Sequence, residues 1–377
     1  MITINTNPTN LPSLHDAMWH IVSSDNSATL DFKYIFDVLI GGILKVRVKQ
    51  YPDPANGKGY FDAATIARNS MNYEWFEPLT SLYVVQPNLV GQAGIAYTLR
   101  VGEEVLGVST TNMANVEVYG YNWAPNLFKR RVDILANKIN KWLTNRPLVA
   151  KTKIGENLFI GFLTNISVTF NVQTFNHSNI SIATASGTLV AVPLGFLQMN
   201  IGTAAVPITI NDNVKYYDVW FNAFDKVRVY LTCNNLYTPT TIHFLNRWGL
   251  YDTHRFDLVS KLSMNVERKG YEKRDYKFNG NAVDYKSASN RYYEGNINHN
   301  IQAGWTYKLT ADAMTDAEYE WISDLIVSPR ILMEVDGYHY PVTLKNNNYE
   351  YSKHANNRLR VLELDFELNE TRLSQLR

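Results

Sequence analysis

The chain has 377 residues, enough for two or three domains of about 100–150 residues each. Its 36 Lys and Arg against 35 Asp and Glu give a net charge of +1, which excludes the basic excess expected of a nucleic-acid-binding or membrane-surface protein. The single cysteine excludes an internal disulfide framework, and no apolar run reaches the roughly 20 residues that span a bilayer.

The composition favours a β-rich protein that associates with other chains. Tyr (24) and Phe (16) are abundant, and both are enriched in strands and at interfaces. Only 19% of residues are charged, which gives weak protection against self-association. The same aromatic content is also typical of ordinary β proteins. The polar first 14 residues predict no secretory signal, so we expect folding in a cytoplasm.

The first predicted module covers residues 1–147. Apolar and polar residues alternate on both sides of Gly41 and Gly42, which predicts a hairpin. After a loop rich in Pro and Gly at 51–59, a short helix is predicted at 61–68 with Asp62 as its cap. Further elements are predicted as strands at 79–85 and 96–101 and as a helix at 126–143.

The second predicted module, residues 148–245, is all β. Val168, Phe170 and Val172 alternate with polar residues, as do Val227 and Val229. Such period-two alternation is typical of strands that cover a core with one face.

The third predicted module, residues 246–377, is α+β, with one helix on a β-meander. A capping box at 315–318 begins the helix, and Asp336-Gly337 predicts a hairpin turn. Residues 269–304 are predicted to form an extended arm, with an ordinary long hairpin as the alternative. The aromatic candidates for interface contacts in this arm are Tyr271, Tyr276, Phe278, Tyr285, Tyr292 and Tyr293. The predicted fold class is therefore mainly β, with antiparallel β-sandwich-like modules and a few short helices.

No sequence motif points to an enzyme. The histidines lack metal-binding spacing, and neither a phosphate-binding loop nor a nucleophile elbow is present, so we expect no cofactor and no metal. The carboxylates of Glu363, Asp365 and Glu367 share one strand face at a spacing compatible with a glycosidase pair. A solvated strand face is the more common use of such a ladder.

Five segments, in this order and spacing, resemble virion proteins of tailed phages that infect Bacteroidota, including crAss-like phages. They are residues 32–42 (FKYIFDVLIGG), 51–62 (YPDPANGKGYFD), 142–147 (WLTNRP), 244–253 (FLNRWGLYDT) and 328–337 (SPRILMEVDG). The resemblance implies a structural part of the tail, collar or tail tip, present as a ring and located in the virion. It implies no catalytic residues.

Three functions follow as hypotheses. The first is a non-enzymatic ring or collar protein whose partners are further copies of itself and other virion proteins, without nucleic acid or membrane. The second is a tail-tip protein that binds a host surface glycan, with Trp248 and Tyr251 as exposed stacking residues in a turn. The third is a carbohydrase in which Asp365→Asn abolishes hydrolysis.

Overall fold

A computed structural model describes residues 1–8, 12–71, 83–84, 94–109, 113–123, 140–164, 167–189, 195–221, 225–232, 237–272, 276–285, 296–346, 361–369 and 372–373. Of these residues, 58% lie in strands and 6% in helices, so the chain is mainly β as predicted. It divides into two compact units. Unit 1 comprises Met1–Asn234, His243–His254 and Ala317–Arg330, and unit 2 comprises Asn235–Ile242, Arg255–Asp316 and Ile331–Arg377.

The N-terminal part of unit 1 contains two sheets and a short helix. Its elements are Ile2–Thr6 (β1), Trp19–Ser24 (β2), Lys33–Ile40 (β3), Ile43–Gln50 (β4), Gly59–Asp62 (β5), Ala64–Asn69 (α1), Tyr83–Val84 (β6), Gly94–Val105 (β7), Val108–Ser109 (β8) and Ala114–Tyr121 (β9). One sheet has the order β1-β2-β5, and the other has the order β4-β3-β7-β8 with β9 also paired to β7. They share one core, in which the rings of Phe36 and Phe61 stack at 4.9 Å.

The predicted β3–β4 hairpin is confirmed. Gly41 and Gly42 have φ values of 58° and 78°, which a two-residue turn of this kind requires. The short helix begins later than predicted, at Ala64, because the two residues before Ala63 pair with β2 as the end of β5. Asp62 nevertheless acts near the helix start, since its carboxylate accepts the backbone N–H groups of Ala64 and Met18.

The second part of unit 1 also contains two sheets with a common core. Its strands are Lys141–Trp142 (β10), Val149–Thr152 (β11), Phe159–Thr164 (β12), Val168–Asn176 (β13), Ser181–Leu189 (β14), Gly195–Asn200 (β15), Val214–Phe221 (β16) and Val227–Leu231 (β17). The sheet orders are β10-β12-β15-β6 and β11-β17-β16-β13-β14. Phe162 from the first sheet stacks on Phe221 from the second at 4.0 Å between ring centroids, which is sandwich-like packing.

The helix predicted at 126–143 falls mostly on residues outside the described part. Its predicted C-terminal end is wrong, because Lys141 and Trp142 form β10 and Asn140 has a φ of 55°. Trp142 is buried, and its indole N–H donates to the carbonyl of Asp225. An apolar residue at this spacing suits a buried strand equally well, so periodicity alone did not separate the two.

Unit 2 is built around one antiparallel sheet. The remaining elements of the chain are Thr240–Leu245 (β18), Tyr251–Phe256 (β19), Lys261–Glu272 (β20), Tyr276–Asn279 (β21), Ala282–Tyr285 (β22), Asn296–Thr310 (β23), Asp316–Ile326 (α2), Ile331–Val335 (β24), Tyr338–Leu344 (β25), Glu363–Leu368 (β26) and Arg372–Leu373 (β27). The sheet in unit 2 includes the order β24-β25-β26-β23-β20, with β27 also on β23. Strands β18 and β19 pair with each other, and each contributes residues to both units.

The C-terminal hairpin and helix occur where the sequence placed them. Asp336 and Gly337 have φ values of 52° and 80° between β24 and β25. Helix α2 buries Trp321, Ile322 and Leu325. All of its residues after Asp316 group with unit 1, whereas the meander lies in unit 2. Neither described helix is long and apolar enough to cross a membrane.

Two units emerge where the sequence suggested three modules. The predicted boundary at 147/148 lies inside unit 1 and follows Trp142, which already belongs to the second hydrophobic core. Of the third predicted module, residues 246–254 and 317–330 group with unit 1 and the others with unit 2. The division into 1–147, 148–245 and 246–377 stays a prediction.

Candidate assembly interface

The longest ladder of unit 2 joins β20 to β23. Their register runs from Lys261 opposite Lys308 to Glu272 opposite Asn296, with one irregularity at Lys269/Gly270. On its other side β23 pairs with β26 and β27. Among the described residues no strand pairs with the outer side of β20, so β20 is an edge strand of 12 residues. We call the β20–β23 ladder the ribbon.

The ribbon has one apolar face. Leu262 lies opposite Tyr307, Met264 opposite Trp305, and Val266 opposite Ala303. Directly opposite residues project to the same side of a sheet, so these six side chains form one stripe. The stripe continues the core side of the sheet, because Tyr307 also lies opposite the fully buried Phe366 of β26.

The other face of the ribbon is polar. Ser263, Asn265 and Glu267 lie opposite Thr306, Gly304 and Gln302. Hydrogen bonds cross the ladder on this face, from Ser263 to the carbonyl of Thr306 and from Asn265 to the hydroxyl of Thr306, both at 3.2 Å. The ribbon is therefore amphipathic, whereas a hairpin surrounded by water on both faces needs no apolar face.

The apolar face is open along β20. Every residue of β20 except Val266 is exposed, including Leu262 at 52% and Met264 at 51%. A long edge strand with exposed apolar side chains is a template for pairing with another chain. This exposure makes the ribbon the candidate assembly interface.

The predicted arm residues are only partly placed. Tyr271 is 54% exposed on β20, and its ring lies 6.3 Å from that of His299. Tyr276, Phe278 and Tyr285 belong to the small β21–β22 hairpin, and of these three residues the backbone alone is described. Tyr292 and Tyr293 lie outside the described residues.

The expectation that Trp248 and Tyr251 are exposed is wrong. Trp248 is 7% exposed and stacks near Trp123, and Tyr251 has no exposed surface. The turn is folded inward because the Asn246 side chain accepts the backbone N–H groups of Trp248 and Leu250. Both aromatic residues are core residues and are unavailable for sugar stacking in this fold.

The apolar stripe was not predicted from the sequence, because the interface candidates were chosen as aromatic residues and the alternation of apolar and polar residues in this segment was not used. Leu262, Met264 and Val266 are spaced by two, as are Ala303, Trp305 and Tyr307. This signal was available and predicts an apolar face.

A second cluster of polar residues lies buried in unit 1. The Asp252 carboxylate accepts the Thr144 hydroxyl at 2.6 Å and the Trp321 indole N–H at 2.8 Å. Burial raises the pKa of Asp252 to about 6, although these hydrogen bonds and the charge of Arg146 oppose the shift. Asp252 has no exposed surface, so this cluster joins β19, α2 and the segment after β10 instead of meeting a substrate.

The acidic ladder of β26 is engaged in ion pairs. Glu363 lies 2.6 Å from the Lys308 ammonium, and Glu367 lies 3.1 Å from that of Lys345. The hydrogen bond from Lys308 lowers the pKa of Glu363. A general acid needs a raised pKa, so this setting opposes the carbohydrase hypothesis at Glu363.

Unit 2 also contains an open cleft of about 400 Å³ near these groups. Its lining residues are Tyr237, Leu258, Val259, Lys261, Lys308, Thr310 and Glu363. Tyr237 is 42% exposed. An aromatic ring beside an ion pair with exposed polar atoms suits a small polar ligand.

No family model and no curated protein matches the chain.

Proposed function

We propose that this chain is a non-enzymatic virion structural protein of a tailed phage that assembles as a ring, collar or tail component. The observation that carries the assembly role is the amphipathic ribbon, with its 12-residue edge strand and exposed Leu262 and Met264. The phage assignment comes from the sequence resemblance. The partners are further copies of the chain and neighbouring virion proteins.

The size of the ribbon supports an interface. One partner contributes about 20–30 residues to a stable protein–protein contact. The two strands of the ribbon together have 27 residues, all of them partly or fully exposed except the buried Thr306 and Leu309, so the ribbon is large enough for such a contact. The half-buried Trp305 and Tyr307 are residue types that dominate the binding energy of interfaces.

Imaging of intact particles tests this function. Electron microscopy with an antibody fragment against the chain is expected to label the tail or collar of every particle. Native mass spectrometry of dissociated tails is expected to detect the chain in a multimer. Unlabelled particles, together with a chain that stays monomeric at all concentrations, would contradict the proposal.

A glycan-binding role at the tail tip is the second candidate, and the cleft beside Tyr237 favours it. We expect Tyr237→Ala to abolish a glycan-array signal, since the ring supplies the stacking surface. Tyr338→Ala is the matched control, because Tyr338 is 69% exposed and does not line the cleft. An array without signal for the unmodified chain would rule out this role.

A further inference from the structure

The outer edge of β20 has a sequence that is complementary to itself. Residues 261–267 read Lys-Leu-Ser-Met-Asn-Val-Glu. In an antiparallel pairing of two copies centred on Met264, Lys261 lies opposite Glu267, Leu262 opposite Val266, and Ser263 opposite Asn265. Met264 then lies opposite its own copy. Each position meets a residue of matching chemistry.

We propose that two copies of this chain pair antiparallel along β20, with a two-fold axis through Met264. The inference rests on the proposed assembly function and names one partner for it. The axis is perpendicular to the sheet, so the apolar face of one ribbon continues into that of the other. Leu262, Met264 and Val266 of both copies then form one stripe.

Other axis positions lose the charge match. Moving the axis by one residue keeps apolar side chains opposite each other, but it places Lys261 opposite Asn265 (axis at Ser263) or opposite Lys269 (axis at Asn265). Moving it to Val266 places Met264 opposite Arg268. A pairing displaced by a single residue sets the apolar face of one copy on the side of the polar face of the other. Of the registers compared, the one centred on Met264 therefore matches both the charged and the apolar side chains.

The charges of β20 also have a protective interpretation, since lysines on an edge strand commonly block pairing. In the proposed register they have the opposite effect. Lys261 meets Glu267 twice, once on each side of the axis. Within its own chain the ion pair of Glu267 with Lys269 is long, at 3.6 Å, and both side chains are more than half exposed. An exposed pair of this kind contributes little, so it competes weakly with the contact between copies.

A two-fold contact closes after two copies. A ring therefore requires a different surface, and the two assemblies can fail separately. If the dimer forms but the chain is absent from particles, the phage function is wrong and the pairing stands. If particles contain a ring whose copies do not pair through β20, the pairing is wrong and the function stands.

Cysteine cross-linking tests the register on the full chain. In a Cys233→Ser background, Met264→Cys places two thiols directly opposite each other, within disulfide distance. We expect most of the protein to run as a covalent dimer under mild oxidation. Tyr271→Cys is the control, because it is equally exposed but would lie about 45 Å from its copy. Cross-linking at 271 and not at 264 would overturn the register.

A charge exchange tests the pairing without a covalent bond. Lys261→Glu or Glu267→Lys each convert two attractive contacts into two repulsive ones, and we expect the dimer dissociation constant to rise about tenfold. The double exchange restores opposite charges and is expected to recover the affinity. Sedimentation equilibrium measures all four proteins, and circular dichroism confirms that each is folded. A monomeric wild type, or a double variant as weak as the single variants, would overturn the proposal.

Discussion

Strand β13 in unit 1 and strand β20 in unit 2 carry the same alternation but differ in burial. In β13 the apolar Val168, Phe170 and Val172 are buried, and the residues between them are half-buried. In β20 the corresponding Leu262 and Met264 are about half exposed. Strand β13 packs its apolar face into the core that it shares with the β10-β12-β15-β6 sheet, whereas β20 is an edge strand whose apolar side chains stay exposed. Alternation thus specifies which face is apolar, and the packing of another layer decides whether that face is covered.

The largest expected difference between β13 and β20 is the loss of stability when an apolar side chain is removed. Phe170→Ala removes a ring that is 3% exposed in the core of unit 1, and we expect a loss of about 3–5 kcal/mol in the free energy of unfolding. Met264→Ala is the counterpart in β20, with an expected change within about 0.5 kcal/mol for the monomer. Urea unfolding at low protein concentration measures both. An equally large loss of unfolding free energy for Met264→Ala would show that the apolar face of β20 is covered.

Buried and exposed carboxyls are expected to differ in their pH dependence. The pKa of Asp252 is about 6 in the folded chain and 3.8 without burial, so the folded state binds more protons between these values. This group therefore makes unit 1 less stable as pH rises from 4 to 6, by on the order of 2–3 kcal/mol. We expect Asp252→Asn to gain stability relative to wild type over this range, because the amide oxygen still accepts from Thr144 and Trp321.

The variant is compared with wild type at each pH because two buried histidines change the stability with pH in the opposite direction. Burial lowers the pKa of His20 to about 4 and that of His254 to about 3, so their contribution to stability is lost as pH falls below 6.5. Thermal unfolding from pH 4 to 7 measures the difference. Glu363→Gln is the control in the exposed ladder. An Asp252→Asn profile parallel to wild type would show that Asp252 does not titrate as described.

The smallest expected effect concerns ion pairs. Arg228 donates two hydrogen bonds, at 2.8 and 3.0 Å, to Asp218, which is 2% exposed. Arg228→Met leaves this carboxylate buried without its partner, at an expected cost of about 2 kcal/mol. Lys269→Met removes the exposed pair with Glu267 and is expected to change stability too little to measure. Equal midpoints of thermal unfolding for the two variants would contradict this difference.

Local elements were largely predictable, because their determinants are local. The Gly41-Gly42 and Asp336-Gly337 turns were predicted from residues that tolerate positive φ. The alternation in β13 and β26 predicted their buried faces correctly. The start of α1 was misplaced because Phe61 and Asp62 pair with β2, a contact that no local pattern encodes.

The candidate site was predictable only in part. The segment 269–304 was predicted to be an extended arm or an ordinary long hairpin, and its candidate anchor Tyr271 is 54% exposed. Trp248 and Tyr251 were placed on the surface, although the hydrogen bonds of Asn246 fold their turn into the core. A single sequence does not distinguish an aromatic residue in a buried turn from one in an exposed turn, since composition is the same in both.

By itself, the sequence determined the mainly β class, the positions of the hairpins and the identity of the apolar strand faces, because these depend on residues next to each other in the chain. Only the tertiary structure decided that β20 is an edge strand and that Asp252 meets Thr144 and Trp321. Both depend on contacts between residues far apart in the chain. The complementarity of residues 261–267 was present in the sequence throughout, and it acquired meaning only because no described strand pairs with the outer edge of β20.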